Sequence, residues 1–155
     1  MKAAVLQKPG PLLTRLVAAQ RLEEDAVRYP QIETWADALV TCANELPRSL
    51  IWPVGTPAER IAGVATARAR GRIDVGLWNA PVEGRTILLF AVAGVTALSL
   101  TLTAEQLRRR GAGDVHACGI AITGVAALEG IDSFRSLAEE LAPLRERSHR
   151  LVSHS

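Results

Sequence analysis

The chain has 155 residues, of which 48% are hydrophobic and 22% are charged. This length suits one domain with its own core, 1–155, and this composition excludes a disordered or low-complexity chain. The formal net charge of +2 is too small to indicate a nucleic-acid or membrane partner by itself. No secretory leader is visible before the break at residues 9–11, so we expect a cytoplasmic protein.

Two amphipathic helices are predicted before the first strand, within the segment 1–47. Apolar residues recur every three or four positions over 12–28 and again over 31–46, and Pro30 separates the two patterns. We expect the helices to form a hairpin that covers one face of a sheet. Trp35 lies on the apolar side of the second helix and is expected to anchor the core.

The segment 48–125 is predicted to be an α/β core with four strands. The strands are expected at 49–54, 73–78, 86–92 and 115–122. The third is uniformly apolar, as a parallel strand buried on both faces requires. With helices between the strands, this pattern favours a three-layer α/β fold whose mostly parallel sheet has four or five strands.

The junction after the first strand carries clear helix-start signals. Thr56 is predicted to be the N-cap, with Pro57 at the first helical position and Glu59 closing a capping box. The free N–H groups of a helix that begins at a strand end form a potential anion site. We therefore regard Gly55, Thr56 and Arg60 as a possible second anion loop.

The stretch 86–104 carries no charge, and its 19 residues are long enough to cross a bilayer. Its five hydroxyl residues and Gly94 favour instead a strand, a turn and a helix that begins near Thr96 and ends before Gly111. A strand-like alternation over 98–103 leaves a hairpin turning at Gly94 as the alternative. No membrane partner is expected.

The segment 126–155 is predicted to hold a closing helix and a basic tail. Asp132 is the expected N-cap, and the helix should run past Phe134 to Leu141. The arginines and histidines of the tail, 145–154, are a weak signal for RNA or DNA, and a nucleic-acid partner is not our expectation.

Several residues with reactive side chains are expected to be structural. Cys42 and Cys118 lie in apolar segments, where cysteine behaves as a small buried hydrophobe. His116 shares a strand face with Cys118, but no further ligands are evident, so no metal site is predicted. The run 108–110 of three arginines lies at a helix C-terminus, where it stabilises the helix dipole.

The element order and the residues of the central strand resemble the type I phosphoribosyltransferase family over about 48–125. The resemblance is carried by the strand 87–90, the Gly- and Thr-containing stretch after it, and the helix that ends over 105–112. It implies a loop that cradles the 5-phosphate of phosphoribosyl pyrophosphate, preceded by two acidic residues that bind the ribose hydroxyls. The residues in the place of that phosphate loop are Gly94, Val95, Thr96, Ala97, Leu98 and Ser99.

The sequence departs from the family pattern at the two acidic positions, which are Ala91 and Val92 here. The departure implies a degenerate, non-catalytic domain that binds phosphoribosyl pyrophosphate or another phosphorylated ligand, or acts as a partner or regulatory subunit. Such a subunit would be a homodimer or would pair with an active paralogue. The alternative is an active transferase, or another nucleotide or sugar-phosphate enzyme, that uses Asp74, Glu83 or Arg85. A plain turn and N-cap without a ligand fits Gly94 and Thr96 as well, and no catalytic residue or firm cofactor is assigned.

Overall fold

The computed structural model describes residues 10–93, 95–122, 124–125 and 128–138. Within these ranges the chain forms helices and strands that alternate after an initial helix pair. In chain order they are α1 (Pro11–Ala26), α2 (Gln31–Asn44), β1 (Leu50–Val54), α3 (Thr56–Ala69), β2 (Asp74–Val75), β3 (Ile87–Ala91), α4 (Ala97–Arg109), β4 (Val115–Gly119) and β5 (Ser133–Ser136).

The strands form one parallel sheet with the order β2-β1-β3-β4-β5. The central strand, β3, has all five residues buried, as its uninterrupted apolar sequence requires. The predicted α/β fold with a parallel sheet of four or five strands is confirmed. The predicted element order over the core, which carried the family resemblance, is confirmed as well.

Helices cover both faces of the sheet, which gives three layers. On one face, Leu88 and Phe90 belong to a buried cluster that includes residues of α2 and α3 and Ala26 of α1. On the other face, Ile87 and Leu89 belong to a second cluster with α4. Successive side chains of β3 therefore enter alternate cores. The predicted N-terminal helical hairpin and the predicted helix after β3 are both confirmed.

A charged contact connects α2 with α3 at the protein surface. The guanidinium of Arg68 donates to both carboxylate oxygens of Asp37, at 2.6 and 2.9 Å, and lies 3.6 Å from Glu33. The hydrogen bonds to Asp37 raise the pKa of Arg68. The contact is exposed, so we assign the stability of this helix pair to its buried apolar side chains.

The predicted C-terminal helix is wrong at its start, because residues Ser133–Ser136 form β5 beside β4. The carboxylate of Asp132 does not cap a helix. It accepts hydrogen bonds from the backbone N–H of Val115, at 2.8 Å, and from Arg108, at 3.2 Å. These tertiary partners, together with the open edge of β4, outweigh the local capping preference. Leu141 and the basic tail 145–154 lie outside the described residues.

The uncharged stretch 86–104 is divided between β3, a turn and the first half of α4. It is therefore neither one long helix nor a hairpin. In the part of the chain that the structure describes, no helix is long and apolar enough to cross a membrane.

Candidate functional site at the carboxyl edge of the sheet

Three loops meet at the carboxyl edge of the sheet, where open parallel sheets bind ligands. Val54, Ala91 and Gly119, the last residues of β1, β3 and β4, are aligned in register. A Cβ atom added at Gly55 would lie 3.6 Å from Cγ2 of Val95, which shows that the first two loops touch. The predicted second anion loop and the predicted phosphate loop are thus neighbours.

The turn after β3 delivers the chain into a capped helix. The N–H of Val95 donates to the carbonyl of Val92 at 3.0 Å, which closes the turn. Thr96 is extended and is the N-cap of α4, and its hydroxyl accepts the N–H of Ser99 at 3.3 Å. The prediction that the helix begins near Thr96 is confirmed. Gly94 lies outside the described residues.

The start of α4 offers donors for one small anion. A helix leaves its first N–H groups without intrahelical acceptors, here those of Ala97 and Leu98. The hydroxyls of Thr96 and Ser99 lie 3.2 Å apart on the exposed side of this turn. The amides of Val95 and Ser99 already have acceptors, so part of the predicted phosphate loop is occupied by the turn and the cap themselves. The first turn of α4 carries no acidic residue.

Ala91 and Val92, the two positions at which the resemblance implies acidic residues, are buried inside the protein. Their exposed fractions are 0% and 1%. Ala91 belongs to the core on the α4 face and Val92 to the core on the opposite face. The end of β3 therefore presents neither a carboxylate nor an open surface to a ligand at this edge.

The predicted N-cap of α3 is wrong by one residue. Gly55 is the N-cap, with φ of 95° and ψ of 158°, and no side chain caps this helix. This φ is in the region that glycine adopts without strain, so the chain enters the helix one residue earlier than the hydroxyl signal suggests. Thr56 is then the first helical residue, and Pro57, which has no N–H, removes one of the helix-start donors.

The possible second anion loop opens into a cleft with an acidic wall. Thr56 and Arg60 line a cavity of about 280 Å³ between α1 and α3, together with Glu23 and Glu24 of α1. Two carboxylates oppose one guanidinium in this cleft. The charge balance therefore disfavours an anion, in contrast to the start of α4.

Asp74, Glu83 and Arg85 do not face the carboxyl edge, which corrects the alternative placement of an active site. Asp74 begins β2, and Arg85 precedes β3, so both lie at the amino edge of the sheet. The Arg85 guanidinium lies 3.1 Å from the Asp74 carboxylate. Glu83 lies beside Gly111, and Gly111 belongs to the turn that follows α4.

The cysteines and the histidine of the core add no reactive group to this edge. Cys118 is fully buried, and Cys42 is buried on α2, as predicted for core cysteines. His116 is half-buried, and its Nδ1 lies 2.6 Å from the hydroxyl of Ser133 on β5, a partner that the sequence analysis did not find. Among the described residues no group of three or more His, Cys, Asp or Glu side chains could hold a metal ion.

The basic run at the end of α4 is engaged in local contacts. Arg108 lies 3.2 Å from Asp132, and Arg109 lies 2.6 Å from Glu105. Arg110 donates to the carbonyl of Ala80 at 2.8 Å. Arg108 and Arg110 thus connect the end of α4 to other segments, whereas Arg109 pairs within α4 itself.

A second cavity, of about 300 Å³, lies beside β1 and was not predicted. Trp52 and Trp78 both line it. The sequence hint of this cavity was a tryptophan in the first predicted strand and another at the end of the second. The sequence does not reveal that these two strands are adjacent in the sheet.

These features define an α/β domain with a five-stranded parallel sheet and an uncharged, capped helix start at its carboxyl edge. No protein-family model matches the sequence, and no curated protein matches it. Among solved structures, the chain is similar to a hypoxanthine-guanine-xanthine phosphoribosyltransferase, with 15% sequence identity and a TM-score of 0.43. The similarity covers 68% of this chain and 76% of that one.

Proposed function

We propose that this protein is a non-catalytic domain of phosphoribosyltransferase-like fold that binds a phosphate-bearing small ligand at 94–99. One observation carries the proposal. The start of α4 keeps its N–H donors and the Thr96 and Ser99 hydroxyls, while Ala91 and Val92 fill the places of the two acids with buried apolar side chains.

The chemistry of these residues favours binding over transfer. A helix N-terminus attracts an anion through its N–H groups and its dipole, and hydroxyl groups add further donors. Transfer at a sugar carbon requires that the charge developing on the sugar be stabilised. The buried methyl groups of Ala91 and Val92 cannot supply that stabilisation, and they cannot accept hydrogen bonds from ribose hydroxyls.

The test is a set of calorimetric titrations of the protein with inorganic phosphate, ribose 5-phosphate and phosphoribosyl pyrophosphate. We expect similar affinities for the first two, since only the phosphate group is recognised. Thr96→Val, which removes the hydroxyl but keeps the shape, should weaken both alike. Binding that requires the ribose, or turnover of phosphoribosyl pyrophosphate with a nucleobase, would overturn the non-catalytic reading and support the active-enzyme alternative.

A specific observation also favours the partner-subunit role, through association of two copies of this chain. The helix α1 carries large apolar side chains that stay exposed, with 71% of Leu12 accessible. The exposed set is Leu12, Leu13, Leu16, Val17 and Leu22. An apolar face of this kind on a helix is typical of an interaction surface.

Light scattering at several protein concentrations tests this second role. We expect a dimer, and Leu12→Gln with Leu16→Gln should shift it to monomer without loss of helicity. Leu98→Gln, which changes an equally exposed leucine on α4, is the matched control. A monomer at all concentrations would remove the homodimer, and mixing with a paralogue would then be the remaining form of the hypothesis.

A further inference from the structure

The cavity beside β1 is built from aromatic and polar side chains. It lies between β1, the turn that follows β2, and α4, and it has a volume of about 300 Å³. The residues that give it chemical character are Trp52, Glu59, Trp78, Gln106 and Arg110. It is separate from the described part of the proposed phosphate loop, because none of the residues 95–99 lines it.

The inner wall of the cavity is an indole with a fixed cation beside it. Trp52 is half-buried against the α4 core, and the guanidinium carbon of Arg110 lies 5.5 Å from the centre of its ring. The same guanidinium donates to the carbonyl of Ala80 at 2.8 Å, which ties α4 to the turn after β2. This wall is therefore held in place before any ligand arrives.

The outer wall is an exposed indole on a braced turn. Trp78 is 83% exposed, which is an unusual position for so large an apolar side chain. Its turn is held by the N–H of Gly76 on the carbonyl of Ile51, at 2.8 Å, and by the N–H of Ala80 on the carbonyl of Leu77, at 2.7 Å.

The backbone at Gly76 packs directly onto the inner wall. A Cβ atom there would lie 3.0 Å from Cε3 of Trp52 and 2.8 Å from Leu50, so only glycine fits without movement. The braced turn and this close packing fix the backbone that carries Trp78 relative to Trp52.

Two polar groups of the cavity have no partner inside the described part of the chain. The carboxylate of Glu59 and the side-chain amide of Gln106 make no hydrogen bond or ion pair there, whereas Arg110 is paired. Glu59 belongs to the first turn of α3, so its carboxylate lies near the start of that helix. The cavity thus combines π-surfaces with an open acceptor.

We propose that this cavity binds a planar heteroaromatic ligand that carries an exocyclic amino group. The ring stacks on the indole of Trp78 in the space in front of Trp52, and the amino group donates to the Glu59 carboxylate. Stacking supplies attraction without regard to ring chemistry, whereas the hydrogen bond to a charged acceptor selects the amino-bearing ring. The Gln106 amide can meet a ring nitrogen.

The experiment compares 2-aminobenzimidazole with benzimidazole, titrated into the full-length chain and followed by tryptophan fluorescence. We expect saturable quenching by both, with the amino compound binding about tenfold tighter, because a hydrogen bond to a charged group stabilises a complex by roughly that factor. Trp78→Ala should abolish the binding of both. Glu59→Gln should lower the affinity for the amino compound to that of benzimidazole and leave benzimidazole unchanged.

Control variants distinguish binding at this site from nonspecific binding of the aromatic probes and from binding at the phosphate loop. Trp35→Phe removes the tryptophan of α2, on the other face of the sheet, and should leave both affinities unchanged. Quenching that survives Trp78→Ala, or equal affinity for the two rings in the unmodified protein, would overturn the proposal. Phosphate titrations of Trp78→Ala report on the start of α4 independently, so failure of one site is distinguishable from failure of the other.

Discussion

The two strand-to-helix junctions at the carboxyl edge, β1–α3 and β3–α4, look alike in sequence and differ in chemistry. Each has a glycine, a threonine and a helix within a few residues of a buried strand. At β3–α4, Thr96 caps the helix and no acid lies in its first turn. At β1–α3, Gly55 takes the capping position, Pro57 removes a donor, and Glu59 lies in the first turn.

A strand–turn–helix pattern alone therefore does not make an anion site. The helix start supplies donors in both places, but the neighbouring elements determine the local charge. The cleft at the start of α3 is faced by Glu23 and Glu24 of α1, which no local motif around Thr56 reveals. We therefore expect anions to prefer the start of α4.

The largest effect is expected from placing an acidic side chain at the end of β3. Ala91→Asp buries a carboxylate at a position with no exposure, and we expect the free energy of unfolding to fall by about 3 kcal/mol or more. Urea unfolding measures it. The control is Thr96→Asp, which places the same group at an exposed N-cap and should leave stability nearly unchanged. A stable Ala91→Asp variant would mean that the end of β3 is open, contrary to its burial.

A smaller effect separates the two threonines. Thr96→Ala removes the cap hydrogen bond to Ser99 and should lower the free energy of unfolding by about 1 kcal/mol. Thr56→Ala removes no cap and should change it by less than about 0.5 kcal/mol. Paired denaturation curves compare them. Equal losses of unfolding free energy would mean that the Thr56 hydroxyl also caps its helix, contrary to its position as the first helical residue of α3.

The smallest effect concerns the acidic wall of the α3 cleft. The double variant Glu23→Gln with Glu24→Gln leaves Arg60 unopposed by α1, so we expect weak phosphate binding to appear at the start of α3 at low ionic strength. Binding should fade at about 1 M salt, where screening acts within a few ångströms. A phosphate titration monitored at the backbone amides of Thr56 and of residues 58–60 measures the gain. An unchanged response would mean that charge is not what distinguishes the two junctions.

The sequence was most informative where a local pattern is strong. The five apolar residues of β3 predict a buried strand, and the stretch after Gly94 predicts a helix that begins near Thr96 and ends before Gly111. Both are confirmed. β5 was missed because its sequence, Ser133–Ser136, has no strong apolar signal and owes its pairing to the edge of β4. Asp132 was predicted wrongly as an N-cap because the donors to its carboxylate, the N–H of Val115 and the guanidinium of Arg108, are distant in the chain.

The candidate site was predictable only in its local half. The cap at Thr96 follows from the residue type, and so does the absence of acids at Ala91 and Val92. The sequence does not reveal which residues surround each loop in the fold. These are the carboxylates opposite Arg60 and the turn that holds Trp78 beside Trp52. Such contacts arise from tertiary packing between segments that carry no shared motif.

The most direct test of the central claim is a titration of the isotope-labelled protein with inorganic phosphate, read amide by amide in nuclear magnetic resonance spectra. We predict saturable shifts at Ala97 and Leu98, with little response at Thr56 and Arg60. Shifts confined to the start of α3, or no saturable shift at Ala97 and Leu98 with phosphate in large excess, would contradict the account.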